Sequence, residues 1–136
     1  MWSYGCIHYK YQVVKDQIVS FETAKLAKEK GYNYAYEFYD TDGNILPYGM
    51  EGGWDTSHEH SYAAPTQSLL QKWLREEHQI SVEVDGMYTT LWRAQIFRIR
   101  SMEQQPDYLP IKELFFDEKT YEEALEKGLQ EALTLI

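Results

Sequence analysis

The sequence predicts an α+β fold: an antiparallel sheet of four to five strands, built from two hairpins and a candidate N-terminal strand, with three helices packed mainly on one face. Three observations carry this. Apolar residues recur at every second position in several stretches, the period of a half-buried strand. Asp42-Gly43 and Asp85-Gly86 follow two of these stretches and supply the positive φ that tight hairpin turns need. Between them lie runs with apolar spacing of three and four, each opened by a capping residue.

The elements follow in order. In 6–14, Ile7, Tyr9, Tyr11 and Val13 share one strand face. Ser20 offers an N-cap hydroxyl to a short helix over 21–30 that buries Phe21, Ala24 and Ala27, and Gly31 supplies the left-handed residue that ends it. From Tyr32 to Tyr39 the period returns to two, with Tyr32, Tyr34, Tyr36 and Phe38 as an aromatic stripe, and Ile45 to Tyr48 is the return strand. Gly49 to Ser61 reads as a loop. Ala64-Pro65-Thr66 opens a second helix, with Pro65 tolerated at its first position and Leu69, Leu70, Trp73 and Leu74 as its apolar stripe. Ile80, Val82 and Val84 alternate, Asp85-Gly86 turns, and Leu91 to Arg100 returns as a strand apolar on both faces, hence central. Residues 101–119, with Pro106 and Pro110, read as a loop pinned by Leu114-Phe115-Phe116. Thr120-Tyr121-Glu122-Glu123 is a capping box that starts the last helix. Its stripe runs Tyr121, Ala124, Leu125, Gly128, Leu129, Ala132, Leu133 and Ile136, and a glycine there predicts close approach to a neighbouring element.

A chain of 136 residues suits a single domain spanning 1–136, with 1–17 as a strand or an N-terminal extension. No apolar run reaches the roughly 20 residues that cross a bilayer. Met1 to Cys6 lacks the basic start and apolar stretch of a secretory signal, and a lone cysteine suits a reducing compartment, so the expected location is cytoplasmic. The net charge of −9 disfavours direct nucleic-acid binding. It is uneven: residues 103–136 carry nine acids against three lysines. Arg93, Arg98 and Arg100 are too few, and split across two strand faces, to reverse it.

Several residue clusters invite chemistry. His58 and His60, alternating around Glu59, would meet one metal ion on an extended segment, with Glu51 or Asp55 completing the shell. A polar loop with surface histidines is the stronger reading, because no second ligand pair follows. Cys6 and His8 lack an oxyanion-forming turn, and Gly49 to Gly53 lacks the strand–turn–helix context of a phosphate loop. No cofactor is expected. Twelve tyrosines are many for this length, and tyrosine suits surfaces that bury area while staying soluble. Tyr32, Tyr34 and Tyr36, with Glu122 and Glu126 on the acidic last helix, are therefore the expected protein contacts.

Three segments carry a resemblance: Ser20-Phe21-Glu22-Thr23-Ala24-Lys25-Leu26-Ala27-Lys28-Glu29-Lys30-Gly31, Ala64-Pro65-Thr66-Gln67-Ser68-Leu69-Leu70-Gln71-Lys72-Trp73-Leu74-Arg75-Glu76, and Tyr121-Glu122-Glu123-Ala124-Leu125-Glu126-Lys127-Gly128-Leu129. Over 18–136 the chain resembles small uncharacterised proteins encoded by phages, prophages and mobile elements of gut anaerobes. The resemblance implies a bacterial cytoplasm and a phage or mobile-element origin, and it brings no catalytic residues. The expected function is thus a non-catalytic accessory protein that binds a host or phage protein. The alternatives are a metal-dependent enzyme using His58 and His60, and an acidic decoy that mimics DNA. Exposed tyrosines would allow a homodimer, though no heptad demands one.

Overall fold

The structure is a computed structural model that describes residues 16–46, 61–87, 91–99 and 111–136. Helix α1 (Phe21–Glu29) starts where Ser20, in extended conformation, accepts from the Thr23 amide at 3.3 Å. Gly31 follows it at φ +94 with nothing within 4 Å of a Cβ, so its role is conformational. Helix α2 (Gln67–His78) is capped by Thr66, whose hydroxyl accepts from the Leu69 amide at 3.2 Å. Pro65 therefore lies outside the helix and not at its first position. Its carbonyl accepts from the Val19 amide at 2.9 Å, and the Gln67 amide donates to Gln17 at 2.8 Å, so 17–19 and 65–67 run side by side as extended chain. Helix α3 (Tyr121–Thr134) shows the Thr120 half of the capping box, a bond from the Glu123 amide at 3.2 Å.

The α+β class holds, but the strands form two sheets among the described residues. One has the order β2-β1-β3, from β1 (Phe38–Tyr39), β2 (Ile45–Leu46) and β3 (Tyr62–Ala63). The other is β4-β5-β6, from β4 (Ile80–Met87), β5 (Leu91–Arg98) and β6 (Lys112–Glu118). All pairings are antiparallel. The first hairpin takes β3 as its third strand, and β3 leads into the 65–67 stretch that pairs with 17–19. The second hairpin belongs to the other sheet, where Gln71 of α2 donates to the Val82 carbonyl of β4 at 2.8 Å.

Three further expectations are corrected. The aromatic stretch 32–39 is a strand only at Phe38–Tyr39, because the Tyr32 amide bonds back to Ala27 of α1 at 2.9 Å and closes the helix end. Asp85 and Gly86 lie within β4, opposite Arg93 and Trp92. Arg93 grips Asp85 through two bonds of 2.8 and 3.0 Å, which holds Asp85 below the usual carboxylate range and favours continued pairing over a turn. The 101–119 stretch contains β6, whose backbone is templated by central β5, with an irregularity between Trp92 and Ala94. The expected strand over 6–14 and the 49–60 loop lie outside the described residues.

Helix α3 lies on the sheet β4-β5-β6. A Cβ on Gly128 would stand 2.7 Å from Val82 Cγ1 and 2.8 Å from the Ala94 Cβ, distances no real Cβ tolerates. The glycine is what lets the helix close. Leu125, Leu129, Ala132 and Leu133 then join Ile80, Val82, Ala94 and Ile96 in one core, with Leu70 and Leu74 of α2 completing it.

Candidate functional site

The first turn of α2 separates two features. On one side is a polar junction of the three helices. Glu126 Oε1 of α3 accepts from the Ser20 amide at 2.7 Å and from the Thr23 hydroxyl at 2.5 Å. Its Oε2 accepts from Gln67 Nε2 at 2.8 Å, and that same Nε2 donates to the Glu122 carbonyl at 2.9 Å. Gln130 Nε2 donates to the Thr23 hydroxyl at 3.0 Å. Thr23 and Gln67 are buried. A carboxylate at the α1 N-terminus complements the helix dipole and answers an amide that the helix leaves unpaired. Both of its oxygens are turned to protein donors, so the junction ties the three helices together. Glu126, expected as a protein contact, is half-buried and makes these bonds within the chain.

On the other side of the turn is an open groove of about 630 Å³. Ile18, Pro65 and Leu69 make its lining mostly apolar, Tyr36 flanks it, and Asp16, Glu37 and Lys72 add charge. Leu69 is only half-buried, whereas its stripe-mates Leu70 and Leu74 are fully enclosed. Asp16 Oδ2 accepts from the Ser68 hydroxyl at 2.6 Å. Lys72 stands 3.8 Å from Glu76 one turn on. Beside the groove, the Tyr34 and Tyr36 rings meet edge-on at 5.9 Å and are 52% and 60% exposed. A hydrogen bond to Tyr36 pushes the Tyr34 phenol upward, which the charge on Tyr36 and slight burial reinforce.

The aromatic stripe thus divides. Tyr34 and Tyr36 face outward, but Tyr32 is buried, edge-on to Trp73 at 5.2 Å, with no hydrogen-bond partner for its hydroxyl among the described residues. Burial, and then the charge on Tyr34, push that phenol well above its ordinary value. Tyr39, also buried, donates its hydroxyl to the Val19 carbonyl at 2.6 Å and ties β1 to the segment before α1. Glu122 is exposed, and Glu123 beside it. Glu118 is paired with Lys127, and Glu131 with Lys112. Glu122 and Glu126 lie one turn apart on α3, the first exposed and the second half-buried.

His58 and His60 lie outside the described residues. Among the described residues no group of three or more His, Cys, Asp or Glu is placed to hold a metal ion. No described helix is long and apolar enough to cross a membrane. Sequence reasoning missed Gln67, Ser20 and Thr23 as partners of Glu126, and the groove altogether. One signal was available: the α2 stripe is wider than its buried face requires, and Leu69 is the surplus. Comparison with protein-family models, with curated proteins and with solved structures finds no match.

Proposed function

We propose that this chain is a non-catalytic accessory protein, of phage or mobile-element type, that acts in a bacterial cytoplasm by binding another protein. The observation that carries this reading is the exposed Tyr34–Tyr36 pair beside an open, mostly apolar groove. Amphipathic rings at a half-apolar edge are the surface chemistry that protein interfaces favour. The phage origin rests on the resemblance over 18–136.

The acidic-decoy reading has less behind it. A decoy needs solvent-facing negative charge, yet Glu126 is turned inward while Glu118 and Glu131 face lysines. The binding reading is tested by affinity capture from a phage-bearing host, with the wild type beside a Tyr34→Ser/Tyr36→Ser variant. A specific partner lost with the tyrosines is expected. Capture unaffected by their removal would overturn the reading.

A further inference from the structure

The groove's chemistry narrows the partner. Ligand pockets span roughly 300–1,000 Å³ and enclose most of a small molecule's surface. This groove has the volume of one, at about 630 Å³, but is open to solvent and not enclosed. That shape suits a chain segment crossing the surface. Its accessible apolar patch, the half-buried Ile18 and Leu69 over the enclosed Pro65, would take one side chain. Around it stand Asp16, Glu37 and one cation, Lys72, which already leans toward Glu76. Among the described residues the Glu37 carboxylate has no cationic partner, and Asp16 is met only by the neutral Ser68 hydroxyl. The Tyr36 face can receive a cation directly.

Two carboxylates repel phosphate, so nucleic acid is a poor occupant. A second copy of this chain would bring its own net charge of −9 to an acidic rim. We propose that the groove binds an extended, basic protein segment, with an apolar residue seated on Ile18 and Leu69 and a neighbouring Arg or Lys held by Glu37, Asp16 and the Tyr36 ring. This rests on the protein-binding reading above and adds the partner's chemistry to it.

The test is an array of short peptides in which an apolar residue is followed by Arg or Lys, each matched by a copy with Glu in the basic position, probed with the full chain. Basic members are expected to bind and their acidic copies not. In fluorescence titration with the best member, Glu37→Gln should weaken binding about threefold to fivefold, the scale of one partly exposed ion pair. Tyr36→Ser should weaken it by about tenfold or more. In the wild type, amide shift changes on titration should centre on 16–18, 36–37 and 65–72, a measurement that needs no variant to fold. Equal binding of basic and acidic copies, shifts centred elsewhere, or self-association through these residues without peptide would each overturn the proposal. If tyrosine-dependent capture persists while no basic peptide binds, the ligand chemistry is wrong and the protein-binding reading stands; if both fail, both fall.

Discussion

Replacing Glu126 with glutamine preserves the side chain's shape and tests whether the three-helix junction holds the fold as its geometry implies. A glutamine oxygen at the Oε1 position would still accept from the Ser20 amide and the Thr23 hydroxyl, though as weaker, uncharged bonds. Its amide nitrogen would then face Gln67 Nε2, donor against donor. Gln67 cannot resolve this by turning over, because its own oxygen would meet the Glu122 carbonyl. One charge-assisted bond is lost outright and two are weakened, and each is worth about 1.5–3 kcal/mol when buried and less at this partly exposed site. We expect a loss of about 2–3 kcal/mol in urea unfolding followed by tryptophan fluorescence, or on the order of 6–10 °C in midpoint. Gln67→Met removes the conflicting donor, so in that background the same substitution should cost about 1 kcal/mol less. A cost below about 0.5 kcal/mol, or strict additivity of the two changes, would refute the account.

The two buried tyrosines should respond with opposite signs. Tyr39→Phe orphans the Val19 carbonyl and should cost about 1–2 kcal/mol, whereas Tyr32→Phe removes an unpartnered hydroxyl and should be neutral or stabilise by up to about 1 kcal/mol in the same melts. Because the folded pKa of Tyr32 is raised, its contribution is whole below the ordinary tyrosine value of about 10 and is lost as pH rises beyond it; Tyr32→Phe should therefore flatten the alkaline fall in stability. Gly128→Ala gains about 1 kcal/mol of helix propensity, but its methyl meets Val82 and Ala94. Overpacking of about 1–3 kcal/mol should outweigh that gain in thermal unfolding, and Val82→Ala should restore part of it.

What was legible followed from local chemistry. Ser20, Gly31, Thr120 and the glycine on the α3 stripe each declare themselves within a few residues, and the structure places all four in the predicted roles. What was not legible depends on distant chain. The β6 backbone forms because β5 offers an edge, which no pattern in 112–118 announces. Asp85-Gly86 carries a turn's composition, yet Arg93 across the ladder claims Asp85. Glu126 lies on the polar side of a helical stripe, and only the arrival of α1 and α2 turns it from a surface charge into an anchor. The groove was hidden for the same reason: Asp16, Glu37 and Leu69 are far apart in sequence and share no motif.

The groove and the junction are two faces of the same helical turn. Gln67, the first residue of α2, points to Glu126, while Thr66, Ser68 and Leu69 around it face the groove. The extended pairing of 17–19 with 65–67 then fixes Asp16 and Ile18 at the groove's edge. A binding surface gains affinity when its parts need not be ordered by the ligand, since each side chain immobilised on binding costs about 0.5–1.5 kcal/mol. The half-buried Glu126 carboxylate would therefore serve the proposed groove without touching its occupant, by holding in place the turn that presents it. That is a reason for the chain to keep a partly buried charge where an apolar residue would pack more simply.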